Sequence, residues 1–330
     1  HVNLFLIKIL GYGYLIILDI RVIMNLSTSN NNSNKSFHAV KAIIYRSDNK
    51  LLLQKRDDNP EIPYPLHWNL FGGEVEFGEN FHEALRRELI EEIEYSPKLI
   101  ENEVFQSKWK SIDLHYFPIF ISKEDENIEF KLHEGIEYKW FSIDELVHLD
   151  IVPAIYENLF KISNYLSTKF KNFEKKYESL IEKNIIKQLN IVKKNERVYY
   201  SKDNIISISK KNLYFFLFLS QIRNIKVSRI CLHKDDGSNL HEMYMFHSCP
   251  SSVGPLKQNK ETISYHIFDG LLEISTQDEN KKIILGSDSF ENEALSKSYR
   301  LKPNEFRIVE SKSDYCIFLE VNNGPFQDND

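Results

Sequence analysis

The chain has 330 residues, of which 42% are hydrophobic and 27% are charged, and its formal net charge is −6. This length exceeds one typical domain, so two domains that each bury a core are expected. The acidic balance and the lack of a long basic run argue against a nucleic acid partner. Cys231, Cys249 and Cys316 match neither a zinc nor a CxxC spacing, which predicts a reducing, cytoplasmic compartment.

The first 24 residues are apolar and resemble a membrane anchor. Lys8 interrupts them, however, and the unbroken apolar run Ile9–Leu18 is shorter than the roughly 20 residues that a spanning helix needs. Residues 1–23 are interpreted as an upstream extension outside the working protein, with a signal anchor as the alternative. The polar string after Met24 predicts a flexible leader up to residue 35. Stable membrane association is expected only if this leader belongs to the working protein.

The next part of the chain alternates between strand and helix patterns. Ala39–Arg46 and Leu51–Arg56 flank the turn sequence SDNK and predict a β-hairpin. A loop rich in Pro and Gly follows, and then a helix from Phe81. Asp113–Ser122 predicts another strand, and a last strand is expected to end at Phe141 before a helix capped by Ser142. Residues 151–194 have apolar positions three and four apart, which predicts one or two amphipathic connecting helices.

The last 130 residues carry short apolar segments separated by turn signals. Their spacing, without long helices between them, predicts a β-sandwich or a small barrel. The predicted strands are Asn212–Ser220, Ser228–His233, His241–Ser248, Thr262–Thr276, Lys281–Ser287, Glu305–Ser311 and Tyr315–Val321.

The predicted helix from Phe81 places carboxylates on its apolar side. Asn80 and Glu83 have the spacing of a capping box. At 100° per residue, Glu88 and Glu92 fall in the same arc as Ala84 and Leu85, with Glu91 at its margin. Carboxylates on an inward face are costly to desolvate without a cation, and oxygen ligands suit Mg²⁺ or Mn²⁺. A solvated acidic helix face is the competing interpretation. Two glycines, at 72 and 73, favour a metal or phosphate site because backbone can approach closely there.

These residues resemble the Nudix box. The similarity rests on Gly73, Glu79 and the run Arg87–Glu92, and it extends over residues 37–166. Glu94 departs from the pattern, because the family usually has Gly there to end the helix. The resemblance implies Mg²⁺-dependent hydrolysis of a diphosphate linkage in a nucleoside diphosphate joined to another group. The ion would neutralise the diphosphate and lower the pKa of the attacking water.

The same resemblance assigns residue roles. Metal ligands would be Glu88, Glu91, Glu92 and the Gly73 carbonyl, with Arg87 holding the carboxylates in place. The general base would be Glu91, Glu134 or Glu137. Arg56 is a candidate for a phosphate, and the remaining substrate-binding candidates in or next to the loop are Tyr64, His67, Trp68 and Glu79. Trp68 and the other loop residues can equally be plain loop or core residues.

Residues 204–326 resemble the small cupins of bacterial O-antigen clusters. In that pattern, the metal ligand positions are taken by Leu256, Gln258, Ile263 and Arg307. Leu and Ile cannot ligate a metal and Arg would repel one, so a cupin-like fold without its metal is predicted.

Together these patterns predict an α+β chain with an N-terminal Nudix α/β/α sandwich, a helical linker and a C-terminal all-β cupin-like sandwich. The expected boundaries are 1–35 for the leader, 36–166 for the Nudix domain, 167–198 for the linker and 199–330 for the cupin-like domain. A Mg²⁺-dependent hydrolase of nucleotide sugars or nucleoside triphosphates, present as a homodimer, is expected. The alternative is a non-catalytic nucleotide sensor whose cupin docks a partner.

Overall fold

The computed structural model describes residues 5–7, 15–17, 37–171, 173–203, 206–257, 263–276, 281–290 and 295–325. The chain divides into two compact units, His1–Phe37 and His38–Asp330. In the first unit, strands β1 (Phe5–Ile7) and β2 (Leu15–Ile17) pair antiparallel. Most of the leader predicted for residues 1–35 lies outside the described residues. Within the described part of the chain, no helix is long and apolar enough to cross a bilayer.

The second unit begins with a six-stranded sheet. Its strand order is β5-β4-β3-β7-β6, with β8 paired to β4. The hairpin predicted around SDNK is confirmed, because β3 and β4 pair antiparallel with Tyr45 opposite Leu51. The strands are β3 (Phe37–Arg46), β4 (Leu51–Lys55), β5 (Trp68–Asn69), β6 (Phe105–Trp109), β7 (Ile112–Ile121) and β8 (Glu137–Phe141).

Strand β3 explains why this sheet has helices on both faces. Val40, Ala42 and Ile44 pack into one apolar cluster with helix α1 (Phe81–Ile93). Their neighbours Ile43 and Tyr45 pack into a second cluster with the later helices. Because successive side chains in a strand point to opposite faces, both faces are buried. This confirms the sandwich predicted for the first half.

Helix α1 begins and ends at the residues that the sequence singles out. The Asn80 side chain accepts from the His82 and Glu83 backbone N–H groups, and the Glu83 carboxylate accepts from Asn80 N–H, so the capping box is confirmed. Glu94 ends the helix in the left-handed conformation, with φ 50°, although it is not Gly. Its N–H donates to Ile90 O at 3.0 Å, and its carboxylate contacts Lys131 and His133, both at 2.7 Å.

Two predictions for the connecting region were wrong. After β8, residues 145–148 form a single 3₁₀ turn and not the α-helix expected after Ser142. The region 151–194 contains three helices where one or two were predicted, and it ends in strand β9, so the predicted linker is not helical throughout. The helices are α2 (Pro153–Tyr156), α3 (Leu159–Lys169) and α4 (Phe173–Leu189), and β9 spans Ile191–Asn195.

The segment 212–220, predicted as a strand, lies in helix α5 (Lys210–Ile222). Ser209 caps this helix together with Asn212. Ten of its residues are buried, which a helix packed on all sides requires, and a continuous apolar run does not distinguish such a helix from a buried strand. The helix packs against α2, α3, α4 and the second sheet. The last part of the chain is therefore not all β.

The second sheet has nine strands. Its order is β15-β14-β17-β12-β11-β10-β9, with β13 paired to β17 and β16 paired to β14. All described pairs are antiparallel except β10 with β11, which α5 connects as a parallel crossover. The segments 305–311 and 315–321, predicted separately, belong to one strand. The strands are β10 (Val198–Ser201), β11 (Val227–Cys231), β12 (Leu240–His247), β13 (Ser252–Lys257), β14 (Ile263–Thr276), β15 (Lys281–Gly286), β16 (Ser298–Leu301) and β17 (Phe306–Asn323).

A single apolar cluster joins both halves of the second unit. It runs from Ala39 and Ile43 on β3 through α2 to α5 and ends at Ile317 on β17. Smaller clusters lie under α1 and inside the second sheet. The two expected cores are thus one shared core with satellites.

Arg223, at the end of α5, ties helix α4 to this arrangement. Its guanidinium donates to Glu178 at 2.7 Å and to both Glu182 oxygens at 2.8 Å, and its side chain is 9% exposed. Breaking this pair from one side removes the arginine from Glu178 and leaves Glu182 with Lys193, which lies 3.0 Å away. We expect Arg223→Met to lower the free energy of unfolding by about 3 kcal/mol in urea titrations. Lys98→Met, which removes an exposed ion pair with Asp125, should cost under about 1 kcal/mol. Equal losses would contradict the assignment.

The same ion pair predicts a pH dependence. Hydrogen bonds from Arg223 lower the pKa of Glu182 from 4.5 to about 2, although burial opposes the shift. A carboxylate with a lowered pKa stabilises the fold above its unfolded pKa, and this contribution is lost as the pH falls towards the folded pKa. The free energy of unfolding should therefore fall between pH 4.5 and 2 more steeply in the wild type than in Arg223→Met. Parallel pH profiles would exclude this coupling.

Candidate active site

The turn at Gly72 and Gly73 lies against both β3 and helix α1. Gly72 has a φ of +110°, and a Cβ atom there would lie 2.3 Å from the Val40 carbonyl oxygen. A Cβ atom on Gly73 would lie 2.6 Å from the Glu88 carboxylate. The Gly73 carbonyl, predicted as a metal ligand, accepts a hydrogen bond from Val40 N–H at 2.9 Å. One lone pair of this oxygen is therefore already engaged.

Glu92 is the most deeply buried acid of helix α1, with 4% of its surface exposed. Gln54 Nε2 donates to one carboxylate oxygen and Gly72 N–H donates to the other, both at 2.8 Å. Burial raises the pKa of Glu92 to about 7, while Lys41 and these two donors oppose the shift. Burial also raises the pKa of Glu88, against the pull of Arg87. The inward position predicted for both carboxylates is confirmed.

Arg87 binds three carboxylates at the edge of this site. Its Nε donates to Glu79 at 2.8 Å, and its Nη1 donates to Glu88 at 2.8 Å and to Glu91 at 3.0 Å. The arginine thus holds Glu88 in place, as predicted. Glu79, predicted to bind substrate, is instead a partner of Arg87, and Glu91 has 60% of its side chain exposed.

Lys41 is a site residue that the sequence reasoning missed. Its Nζ donates to the Gly72 carbonyl oxygen beside the Glu88 and Glu92 carboxylates. Burial lowers the pKa of Lys41, while Glu92 raises it. The signal was present, because a lysine interrupts the apolar run of β3. Gln54, a buried amide in the apolar strand β4, carried a similar signal.

A cavity of about 360 Å³ opens in front of these groups. It brings together several predicted residues, Arg56, Tyr64, Gly73, Glu88, Glu92 and Glu134, and adds Lys41 and Trp109. Arg56 Nε is buried and has no hydrogen-bond partner in the described part of the chain. The Tyr64 and Trp109 rings are 6.3 Å apart, so two aromatic faces and two cations line the same cavity.

Beyond Arg87 and its partners Glu79 and Glu91, three further predicted residues lie away from the cavity lining. Trp68 is 7% exposed and packs in the core, with its ring 4.7 Å from that of Phe141. His67 Nδ1 contacts the Pro65 carbonyl at 2.8 Å. Glu137 is an exposed residue of β8 whose carboxylate is 3.9 Å from Lys55 Nζ. The structure therefore corrects the prediction that Trp68 binds substrate, because this residue lies in the core. Of the two candidate bases next to β8, Glu134 lines the cavity with Glu88 and Glu92, and Glu137 does not.

The donor set of the cavity fits a hard cation. Glu88 and Glu92 supply carboxylate oxygens, and the Gly73 backbone packs against the Glu88 carboxylate, whereas the Gly72 oxygen already accepts from Lys41. Among the residues from 37 onwards that the structure describes, no group of three or more Asp, Glu, His or Cys side chains is arranged to hold an ion. The metal site predicted from Glu88, Glu91 and Glu92 is thus not assembled as a group of three among the described residues: Glu88 and Glu92 line the cavity, and Glu91 remains with Arg87.

A family model described as NUDIX domain matches residues 35–161. Residues 35–161 form a Nudix domain. The nucleoside triphosphatase NudI of Escherichia coli is 28% identical over 127 residues, which cover 35% of this chain and 89% of that protein. The chain therefore carries a Nudix hydrolase, and the box formed by Gly73, Glu79 and Arg87–Glu92 lies within the matched residues.

Several solved structures are similar to parts of this chain. A MutT protein from Methanosarcina mazei covers 41% of this chain and 96% of its own, with 23% identity and a TM-score of 0.33. An Ap4A hydrolase from C. elegans covers 40% and 98%, with 22% identity and a TM-score of 0.33. A cupin superfamily protein from Desulfitobacterium hafniense covers 29% and 76%, with 14% identity and a TM-score of 0.24. The cupin assignment of the second half stays a prediction.

The close approach of Gly72 to β3 gives a testable prediction. Gly72→Ala should lower the free energy of unfolding by about 3 kcal/mol or more, because it combines backbone strain with a clash against Val40. Gly78 is a matched control, since it also has a positive φ, +91°, but open space around its Cβ position. Gly78→Ala should cost only about 1–2 kcal/mol in the same denaturation experiment. A smaller loss at Gly72 than at Gly78 would show that the turn does not approach β3 as described.

Proposed function

We propose that the Nudix domain hydrolyses a diphosphate linkage in a nucleoside diphosphate joined to another group, with Mg²⁺ or Mn²⁺ as cofactor. The observation that carries the proposal is the cavity in which the buried Glu92 and the half-buried Glu88 face two cations, Arg56 and Lys41. Carboxylates are the ligands that Mg²⁺ prefers, and cations bind the phosphate oxygens that Mg²⁺ leaves free. The name of the NudI relative supports a nucleoside triphosphate, and a nucleotide sugar is the other candidate.

Glu88 and Glu92 would hold the ion, together with backbone oxygens of the glycine turn. A bound Mg²⁺ neutralises the diphosphate and lowers the pKa of the attacking water. Arg56 would donate its free Nε–H to a phosphate oxygen, and Lys41 would counter the charge of Glu92 until the ion binds. Tyr64 and Trp109 would contact the base. These roles use each group in the position it already has.

Glu134 is the preferred general base. It lies in the loop before β8, is exposed to solvent and lines the same cavity as the two carboxylates. Glu91 is engaged by Arg87, and Glu137 lies near Lys55. A general base must reach the attacking water, so a carboxylate at the cavity wall suits this role better than one bound to an arginine.

We also infer a cupin-like arrangement without a metal for the second half. Leu256 pairs directly with Arg307, and Ile263 begins β14, so three of the four ligand positions carry side chains that are not metal ligands. The fourth, Gln258, lies outside the described residues. The domain boundaries 36–166, 167–198 and 199–330, the homodimer and the cytoplasmic location stay predictions.

The decisive experiment is a substrate screen with Mg²⁺. Nucleoside triphosphates, nucleotide sugars and dinucleotides should be offered to the wild type and to Glu92→Gln. We expect the variant to lose roughly 100-fold or more in kcat/KM on the substrate that the wild type cleaves, because one charged ligand of the ion is removed. The Mg²⁺-induced rise in Tm should also be lost.

Glu94→Gln is the matched control for this experiment. It removes a carboxylate from the end of the same helix, but that group contacts Lys131 and His133 at the surface. Its kcat/KM should stay within about 3-fold of the wild type. Equal turnover by the wild type and Glu92→Gln would exclude metal-dependent hydrolysis at this site, and no turnover of any substrate would favour the nucleotide-sensing alternative.

A further inference from the structure

The inner face of the second sheet carries a second polar site. Side chains directly opposite each other in a sheet share a face, so the register places Arg229, Met245 and Phe318 in one row. The next row contains Glu320 and Tyr265. A cavity of about 300 Å³ opens over this face, and its lining residues begin at Arg229, well beyond the Nudix match that ends at residue 161.

Two arginines face this cavity without a carboxylate partner. Arg307 is 6% exposed, and its Nε donates to the Tyr265 hydroxyl at 2.6 Å. Arg229 Nε is buried and has no hydrogen-bond partner among the residues that the structure describes. In the described parts of the second sheet, neither guanidinium lies within 4.0 Å of a carboxylate oxygen. Buried guanidinium groups are costly without enough negative charge nearby, and Glu320 is the one carboxylate in this lining, so the two cations favour an additional, anionic ligand.

The cavity also carries hydrogen-bond acceptors. The Glu320 carboxylate lines this cavity and interacts electrostatically with both arginines, and its Oε1 accepts from Asn322 Nδ2 at 3.0 Å. Asn322 is 2% exposed, and its Oδ1 receives no hydrogen bond from the described residues. A buried amide oxygen without a donor costs free energy, which a ligand hydroxyl can offset. The lining thus offers two cations for an oxyanion and two acceptors for a neighbouring hydroxyl.

We propose that this cavity binds a small molecule that carries both an oxyanion and a hydroxyl group. Arg307 and Arg229 contact the oxyanion, Asn322 Oδ1 accepts from the hydroxyl, and Leu256 and Lys257 lie at the exposed rim. An internal ion pair alone does not explain the lining, because one carboxylate faces two guanidinium groups. Phosphate esters and hydroxycarboxylates share this chemistry. The proposal is independent of the hydrolysis proposed for the Nudix domain.

Isothermal titration calorimetry on the full chain, with divalent ions chelated and ionic strength constant, tests the proposal. Glycerol 3-phosphate represents phosphate esters and malate represents hydroxycarboxylates. We expect one of them to bind saturably with a Kd below about 1 mM. Arg307→Met and Arg229→Met should each weaken binding by about 10-fold or more, because each removes a charge-assisted hydrogen bond. Glu320→Gln should tighten binding by several-fold, because it removes a like charge from beside the ligand.

Two control variants locate the binding. Arg300→Met removes an exposed arginine of β16 and should leave the Kd unchanged. Arg56→Met removes one of the two cations of the Nudix cavity and should also leave the Kd unchanged. Binding of neither probe, binding that persists in Arg307→Met and Arg229→Met, or binding that is lost in Arg56→Met would each overturn the proposal. Misfolding cannot tighten binding. The expected gain of affinity in Glu320→Gln therefore still tests the proposal if an arginine variant folds poorly.

Discussion

The structure of the first half depends on one buried carboxylate. Glu92 reaches from helix α1 through the sheet edge to the Gln54 amide on β4 and to the Gly72 N–H in the turn. These two hydrogen bonds join three elements that are distant in sequence, and they hold a negative charge where burial disfavours it. A fold that keeps such a charge inside has to provide a positive group nearby, and Lys41 supplies part of it.

The need for positive charge beside the carboxylates of α1 also explains how the side chains pair at the helix surface. Arg87 is surrounded by Glu79, Glu88 and Glu91 and thus removes much of the repulsion among acids one turn apart. Glu88 is held towards the cavity, and Glu91 is held away from it. The carboxylates are therefore not equivalent, although the sequence pattern treats them alike.

Local signals in the sequence predicted a large part of the fold and of the candidate site. The capping box at Asn80, the SDNK hairpin and the inward arc of Glu88 and Glu92 depend on neighbouring residues only, and each was confirmed. Helix α5 was predicted as a strand because its apolar residues are continuous. Its packing between the other helices and the second sheet determines that it is a helix, and this packing is not visible in the local sequence. Lys41, Gln54 and Trp109 were missed because their roles depend on contacts with residues far along the chain.

The shared core has a consequence for how this protein can be divided. Side chains of β3 lie in the same apolar cluster as α5 and β17. A cut after residue 161 would divide α3, remove α4 and α5, and expose Ile155 of α2 and Leu159 of α3 to water. A stand-alone hydrolase built from residues 35–161 would need a different outer surface on these helices. The second half thus covers apolar side chains of the first half. We expect chimaeras of such proteins to fold only when both parts are exchanged together.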